Sequence, residues 1–132
     1  MPEMGWTDEE VYLLADRGYA FYRQGCYREA AVVFEGLTAL DPLNAYCRAA
    51  LAAVCLETGD AARAVSELSF LLNLNPADQD ARARRCEAYC QMGNWSEAGR
   101  DLAILRRNGE RHHVTRLSAR LKAAGAPTNG SG

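Results

Sequence analysis

A step of 34 residues repeats along this chain of 132 residues. The positions that keep the step are Gly25, Gly59 and Gly93, then Ala30, Ala64 and Ala98, then Pro42 and Pro76, with Glu110 in the third proline place. A period of this length, with almost no strand-like alternation, indicates stacked helical hairpins. One hairpin cannot bury its apolar face alone, so hairpins stack and expose a long concave surface that usually binds a partner. The sequence therefore predicts an all-α fold.

Local signals divide each hairpin into two helices. Thr7 and Glu10 form a capping box, so the first helix is expected to begin at Asp8. The glycine of each repeat can adopt the positive φ of a helix end, and it marks the turn inside each hairpin. Pro42 and Pro76 end the second helices because proline cannot donate the next backbone hydrogen bond.

A further helix is expected after the third hairpin. Val114, Leu117 and Leu121 follow the spacing of one helix face, which predicts a helix that covers the exposed end of the stack. The predicted boundaries are repeats at 11–44, 45–78 and 79–112, a capping helix at 111–124, one domain over 1–125 and a flexible tail at 126–132.

Charge and cysteine content exclude several classes of function. The net charge is −2, but residues 79–132 carry ten basic and five acidic groups. We call this segment the basic pole. It is interpreted as a solvated helix face or as a surface for an acidic partner. The five cysteines form no C-x-x-C pair, so we expect them to be reduced and buried, with no metal bound. No signal peptide or membrane span is expected, and the predicted location is cytoplasmic. No cofactor and no nucleic acid are expected.

The repeated residues carry a family resemblance. The run from Gly18 to Ala30, then Phe34, the segment Leu40-Asp41-Pro42 and Asn44, resembles a tetratricopeptide repeat almost throughout. The later repeats keep Leu51, Ala52, Gly59, Ala64 and Pro76, then Tyr89, Gly93, Trp95, Ala98 and Leu102. The resemblance covers residues 11–112 and implies a right-handed α-solenoid of three tetratricopeptide hairpins plus the C-terminal capping helix. The departures are Arg17, Arg48, Arg82 and Arg85, which replace apolar or aromatic residues and predict looser packing or a partner surface.

The resemblance also implies which stripe of the first helices faces the concave side. The residues of this stripe that we predict to bind a peptide are Tyr12, Ala15, Tyr19, Tyr22, Tyr46, Ala49, Ala53, Leu56, Ala83, Glu87 and Cys90. A solvated stripe would be mostly charged, whereas this stripe is rich in tyrosine and alanine. Tyrosine provides contact area with little loss of entropy, and alanine allows close approach of an extended chain. Packing between neighbouring first helices is the alternative use of the same residues.

The predicted stripe is unsuited to a terminal carboxylate. Tetratricopeptide co-chaperones of heat-shock proteins hold such a group with lysine, asparagine and arginine on these helices. The corresponding positions here are Ala15, Tyr19, Ala50, Ala83 and Glu87. None of them is a cation that could pair with a carboxylate. We therefore expect the ligand to be an internal, apolar, extended segment.

A narrower resemblance suggests a function. Three short repeats, an apolar groove and a covering helix are similar to the tetratricopeptide chaperones of bacterial type III secretion, and the run from Ala30 to Asp41 resembles the second helix of their first repeat. This resemblance implies a non-catalytic chaperone that holds an extended segment of a secreted translocator or export component, without membrane insertion, and as a possible homodimer. The alternative is a general scaffold that uses its outer faces and the arginine-rich pole. No catalytic pattern suggests an enzyme.

Overall fold

The structure is a computed structural model that describes residues 6–125. Its elements in chain order are α1 (Asp8–Arg23), α2 (Tyr27–Leu40), α3 (Ala45–Thr58), α4 (Ala61–Leu74), α5 (Gln79–Gln91), α6 (Trp95–Arg107) and α7 (His112–Ala123). Across residues 6–125 there is no strand, so the predicted all-α fold is confirmed. The predicted tail at 126–132 lies outside the described residues.

The predicted helix ends are confirmed in atomic detail. The Thr7 hydroxyl accepts a hydrogen bond from the Glu10 amide at 3.1 Å, and the Glu10 carboxylate accepts one from the Thr7 amide at 3.0 Å. Asn44 caps α3 and Asp78 caps α5 through their side-chain oxygens. Gly59 ends α3 with a left-handed φ of 83°. These signals are local, so they act in the same way wherever they occur in the chain.

The chain divides into two compact units, and the first ends at Asp60. In this unit α2 packs against both α1 and α3. Phe34 and Leu37 of α2 are buried, as are the small residues Ala15 and Gly18 of α1. A methyl group added at Gly18 would lie 2.8 Å from the Phe34 ring, so the absence of a side chain lets α1 and α2 approach closely.

The second unit begins at Ala61. Here α5 packs against α4, α6 and α7, and α7 also packs against α6. The buried cluster that joins α5, α6 and α7 consists of Ala83, Cys86, Cys90, Ala98, Leu102, Leu105, Leu117 and Leu121. Val114 is half-buried against this cluster. The predicted role of the last helix, which is to cover apolar surface of the third hairpin, is therefore confirmed.

The last helix begins in a way that the sequence analysis missed. The Glu110 carboxylate accepts hydrogen bonds from the backbone amides of His113 at 2.9 Å and Val114 at 3.2 Å. Glu110 stands where the two earlier repeats have proline. A carboxylate at this point accepts hydrogen bonds from amides that the first turn of a helix leaves unpaired. Its negative charge also interacts favourably with the positive end of the helix dipole.

Candidate functional site

Tyr19 and Tyr22 of α1 and Tyr46 of α3 form a connected group of rings. We call these three residues, together with Tyr12 on the same helix face of α1 as Tyr19, the tyrosine face. The Tyr19 ring lies 5.5 Å from that of Tyr46 and 6.4 Å from that of Tyr22, measured between ring centroids. Tyr19 also stands edge-on to the buried ring of Phe34 at 5.5 Å. These are distances at which aromatic pairs attract one another. The tyrosine face is thus a preformed surface anchored on the core.

The outer members of the tyrosine face remain available to a ligand. Tyr12 is 69% exposed and Tyr46 is 48% exposed, which is unusual for large side chains with apolar rings. Partial burial raises the pKa of Tyr46 to about 12, and the neighbouring Tyr19, which hydrogen-bonds to it, adds to the shift. The Tyr46 hydroxyl is therefore neutral at ordinary pH, and it can donate to or accept from a peptide group.

Three apolar residues of α3 follow Tyr46 at the spacing of one helix face. Ala49, Ala53 and Leu56 are half-buried, so part of each side chain is still open to contact. Ala15 of α1 is different, because it is only 1% exposed. Its spacing from Val11 and Gly18 places it in the buried stripe of α1, and it has no surface to offer a ligand.

In the second unit, α7 covers the residues predicted to bind a peptide. Ala83 is fully buried and Cys90 is 4% exposed, both in the cluster that contains Leu117 and Leu121. The Glu87 carboxylate accepts hydrogen bonds from two arginines of α7, Arg116 at 3.1 Å and Arg120 at 3.4 Å. The three predicted residues of α5 are therefore occupied within the chain itself.

The repeat period explains this arrangement. Leu117 stands 34 residues after Ala83, so α7 takes the place of the first helix of a fourth hairpin. The residues of α5 that were predicted to bind a ligand, Ala83, Glu87 and Cys90, face α7 instead. A second contact joins the same two helices, since His113 lies 3.0 Å from the Asp80 carboxylate. The sequence predicts that α7 lies at the end of the stack. It does not predict that α7 packs on the residues of α5 expected to bind a peptide.

Two of the four arginines that depart from the repeat pattern, Arg82 and Arg85, have partners inside the second unit. Arg85 binds both oxygens of Asp101, at 2.9 Å and 2.7 Å, and its third nitrogen donates to Ser69 at 3.1 Å. Arg82 lies 3.4 Å from the same carboxylate and donates to the Pro76 carbonyl at 2.9 Å. The expectation that these two positions loosen the packing or face a partner is therefore wrong, because the charges are satisfied within the unit.

The cysteines form no metal site in residues 6–125. None of the five cysteines is in a disulfide bond, and four of them are buried. Within that range no three histidine, cysteine, aspartate or glutamate side chains lie close enough together to hold a metal ion. Cys86 and Cys90 are hydrogen-bonded neighbours on α5, and the bond from Cys86, aided by Arg120, lowers the pKa of Cys90. No described helix is both long and apolar enough to cross a membrane.

Comparison with known proteins identifies the repeat. Residues 56–121 match the sequence profile of the tetratricopeptide repeat. No curated protein matches the sequence significantly. Solved structures match well: PcrH from Pseudomonas aeruginosa is 20% identical, and the alignment covers 92% of this chain and 96% of PcrH at a TM-score of 0.78. PcrH has also been solved with the chaperone binding regions of PopB and of PopD.

Two further structures show the range of proteins that share the fold. SycD, a type III secretion translocator chaperone of Yersinia enterocolitica, is 21% identical over 89% of this chain and 91% of SycD, with a TM-score of 0.75. The second tetratricopeptide domain of human RPAP3, solved with the HSP70 peptide SGPTIEEVD, is 24% identical over 85% of this chain and 98% of that domain, with a TM-score of 0.74. At these identities the likeness establishes the fold.

Proposed function

Because this chain belongs to the tetratricopeptide repeat family, we propose that it is a non-catalytic protein that binds an extended segment of a partner protein on the tyrosine face. The observation that carries the proposal is the exposure of Tyr46 beside the anchored ring of Tyr19, together with the exposure of Tyr12 seven residues before Tyr19 on α1. Exposed aromatic rings on a rigid support lose little entropy on binding and bury a large area. Two proteins of the same fold have been solved with peptide segments, PcrH with the chaperone binding region of PopB and RPAP3 with an HSP70 peptide.

The chemistry of the tyrosine face favours an internal, apolar segment. Tyrosine hydroxyls can bond the peptide groups of an extended chain, while Ala49 and Ala53 leave room for its side chains. The predicted carboxylate positions of the first unit hold Ala15, Tyr19 and Ala50. None of these can pair with a negative charge, so a peptide that depends on its terminal carboxylate gains little here.

We further propose the finer function of a bacterial type III secretion chaperone, acting in the cytoplasm on a translocator or export component. The similarity to PcrH and SycD over nearly their whole lengths supports this choice. A chaperone of this kind would keep an apolar segment of its partner away from water until export. The neutral, aromatic character of the tyrosine face suits such a segment.

The alternative function, a scaffold that uses the arginine-rich pole, has less support. Arg82 and Arg85 are bound to Asp101, and Arg116 and Arg120 are bound to Glu87. Four of the ten basic residues of the pole are therefore committed to partners in the same unit. A double variant, Arg106→Ala with Arg107→Ala, tests the scaffold directly, since both positions are exposed.

Peptide binding measured by fluorescence anisotropy tests the main proposal. The probes are labelled peptides from the chaperone binding region of PopD and, for comparison, SGPTIEEVD. We expect Tyr12→Ala and Ala53→Glu each to weaken binding of the PopD peptide by at least about tenfold, because they remove aromatic area or introduce a charge into apolar contact. The matched control is Ala39→Glu, which changes an exposed alanine of α2.

Two results would contradict the proposal. One is normal binding by Tyr12→Ala and Ala53→Glu together with loss of binding in the Arg106 and Arg107 variant, which would favour the scaffold. The other is stronger binding of SGPTIEEVD than of the apolar peptide, which would show that an acidic terminus is recognised. Peptide binding on the tyrosine face by an apolar segment unrelated to secretion would retain the general function and reject the finer one.

A further inference from the structure

One exposed carboxylate stands among the rings of the tyrosine face. Asp16 lies on α1 four residues after Tyr12 and three residues before Tyr19, so all three share one face of the helix. Asp16 and Tyr12 are exposed, and Tyr19 is half-buried. Tyr46 of α3 is near as well: burial raises the pKa of its hydroxyl, and the charge of Asp16 adds to that effect. A negative charge therefore lies close to three tyrosine side chains.

The carboxylate is particular to the first hairpin. At the same place of the 34-residue step, α3 has the buried Ala50 and α5 has the exposed Arg84. The repeat fold therefore does not need an acid at this place. The presence of Asp16 beside the exposed ring of Tyr12 is a feature of the tyrosine face and not of the repeat.

The second unit shows how an acid on the corresponding helix face is used. Glu87 of α5 stands two repeat steps after Tyr19. Its carboxylate accepts hydrogen bonds from Arg116 and Arg120 of α7, the helix that lies against this face. The chain thus contains its own example of an acid on a first helix that receives guanidinium groups from the segment covering it. A segment that covers the tyrosine face can meet Asp16 in the same way.

The rings and the carboxylate together have the chemistry of a cation site. We propose that this group, Asp16 with Tyr12, Tyr19 and Tyr46, receives a lysine or arginine side chain of the bound segment, a subsite that rests on the proposed peptide binding by the tyrosine face. The carboxylate pairs with the charged end of that side chain, and the faces of the tyrosine rings attract the same charge. The apolar stem of the side chain packs on the rings. The segment that binds is therefore apolar with one basic residue, not apolar throughout.

The basic residues of α1 do not cancel the charge of Asp16. Arg23 lies on the same helix face but seven residues further on, which is about 10 Å along the helix axis. At that separation salt screens most of the interaction between two exposed charges. Arg17 follows Asp16 directly, and consecutive residues of a helix do not face each other. Glu9, seven residues before Asp16 on the same face, adds to the attraction for a cation.

Selection from a random peptide library displayed on phage tests the site on the full chain. The peptides counted are those whose binding is abolished by Ala53→Glu. We expect them to be enriched in lysine or arginine by about threefold or more over the library, and this enrichment to disappear when Asp16→Asn is the target. The control is Glu29→Gln, which removes one exposed negative charge from α2 and should leave the enrichment unchanged. Circular dichroism checks that each variant folds.

The outcomes separate the cation site from peptide binding itself. Peptides that bind without enrichment in basic residues would overturn the cation site and leave the proposed function in place. Enrichment that persists in Asp16→Asn would also overturn it, since the cation would then be recognised elsewhere. A library from which no peptide binds the tyrosine face would contradict the proposed function and the cation site together.

Two synthetic versions of the most enriched peptide test the contact directly by fluorescence anisotropy. One keeps the basic residue, and the other has norleucine, an apolar side chain without the charge. Asp16→Asn is expected to weaken binding of the basic peptide by about fivefold or more and that of the norleucine peptide by less than about twofold. Tyr12→Leu keeps apolar area but removes the aromatic ring, so it should also weaken the basic peptide more than the norleucine peptide. Equal losses for the two peptides in Asp16→Asn would refute the pairing, and equal losses in Tyr12→Leu would remove Tyr12 from the site.

Discussion

Arg85 and Asp101 are joined by two hydrogen bonds across the third hairpin, one from Nε at 2.9 Å and one from Nη2 at 2.7 Å. The carboxylate is 2% exposed, and Arg82 approaches it from the same helix at 3.4 Å. The hydrogen bond to Asp101 raises the pKa of Arg85. One buried carboxylate thus holds two guanidinium groups, and it ties α5 to α6.

Removing this carboxylate should destabilise the protein strongly. Asp101→Leu leaves the buried Arg82 and the half-buried Arg85 without this counter-charge, which is expected to cost about 3 kcal/mol of unfolding free energy in urea titration. The control is Glu97→Gln, which breaks an exposed pair with Arg100 and should cost less than about 0.5 kcal/mol. Equal losses in the two variants would mean that the buried network is not a major source of stability.

The last helix should contribute to stability through its leucines. Leu117 is fully buried against α5 and α6, so Leu117→Ala is expected to lower the unfolding free energy by about 3 kcal/mol. Lys122→Ala, on the exposed side of the same helix, should change it by less than about 0.5 kcal/mol. Deletion of residues 111–124 should be more harmful still, because Leu102 and Leu105 lose their cover. A truncated chain with an unaltered melting temperature would show that α7 does not support the third hairpin.

The carboxylate before α7 should act as a cap. Glu110→Ala removes the acceptor for the His113 and Val114 amides and is expected to cost about 1 kcal/mol. Hydrogen exchange should show faster exchange at those two amides than in the original chain, with little change in α1. Unchanged protection at His113 and Val114 would indicate that water or another group caps the helix equally well.

Alkaline titration should reveal the contact between Tyr46 and Tyr19. With a folded pKa of about 12 against 10 in the unfolded chain, Tyr46 favours folding below pH 10, and this contribution is lost as the pH rises through 12. Ultraviolet difference spectra should therefore contain a late phenolate component that is absent from Tyr46→Phe. Tyr19→Phe should move that component to lower pH, because it removes a hydrogen bond. A late component that persists in Tyr46→Phe would assign it to another tyrosine.

Thiol labelling should follow burial. Cys26 is half-buried, whereas Cys47, Cys55, Cys86 and Cys90 are buried. Mass spectrometry after brief alkylation of the native protein is expected to find modification at Cys26 first, even though the pKa of Cys90 is lowered. Burial limits access of the reagent more than the fraction of thiolate favours reaction. Faster labelling at Cys90 would reveal opening of the contact between α5 and α7 in solution.

Local signals made the helices predictable. α2 begins at Tyr27, just after the predicted turn at Gly25, and ends at Leu40, just before Pro42, because the glycine and the proline each act within a few residues. The boundary of a single domain over 1–125 stays a prediction. The tyrosine face was predictable as a pattern, since the stripe follows helical spacing, but its use by a ligand is a proposal.

The interpretations of Arg85 and Glu87 failed because their partners are distant in the sequence. Arg85 stands 16 residues before Asp101, so no periodic rule pairs them, and the arginine was interpreted as a defect of the repeat. A signal was present, because Asp101 interrupts the buried stripe formed by Ala98, Leu102 and Leu105. Glu87 was misjudged for a related reason. Its partners lie on α7, and the sequence does not say which side of α5 that helix covers.

Glycine serves two different purposes in this chain: at Gly18 it leaves space, and at Gly59 it allows a positive φ. Substitution of Gly59 by a D-amino acid tests the second purpose. At Gly18 an added methyl group would lie 2.8 Å from the Phe34 ring, so α1 and α2 need the space itself. At Gly59 nothing lies within 4 Å of an added methyl group, and the only demand is a φ of 83°. A D-alanine introduced by chemical synthesis adopts that angle readily and restricts the unfolded chain, so it should stabilise the turn by about 0.5 kcal/mol where L-alanine would strain it. The turn at Gly59 therefore restricts the configuration of the residue at that position and not the size of its side chain.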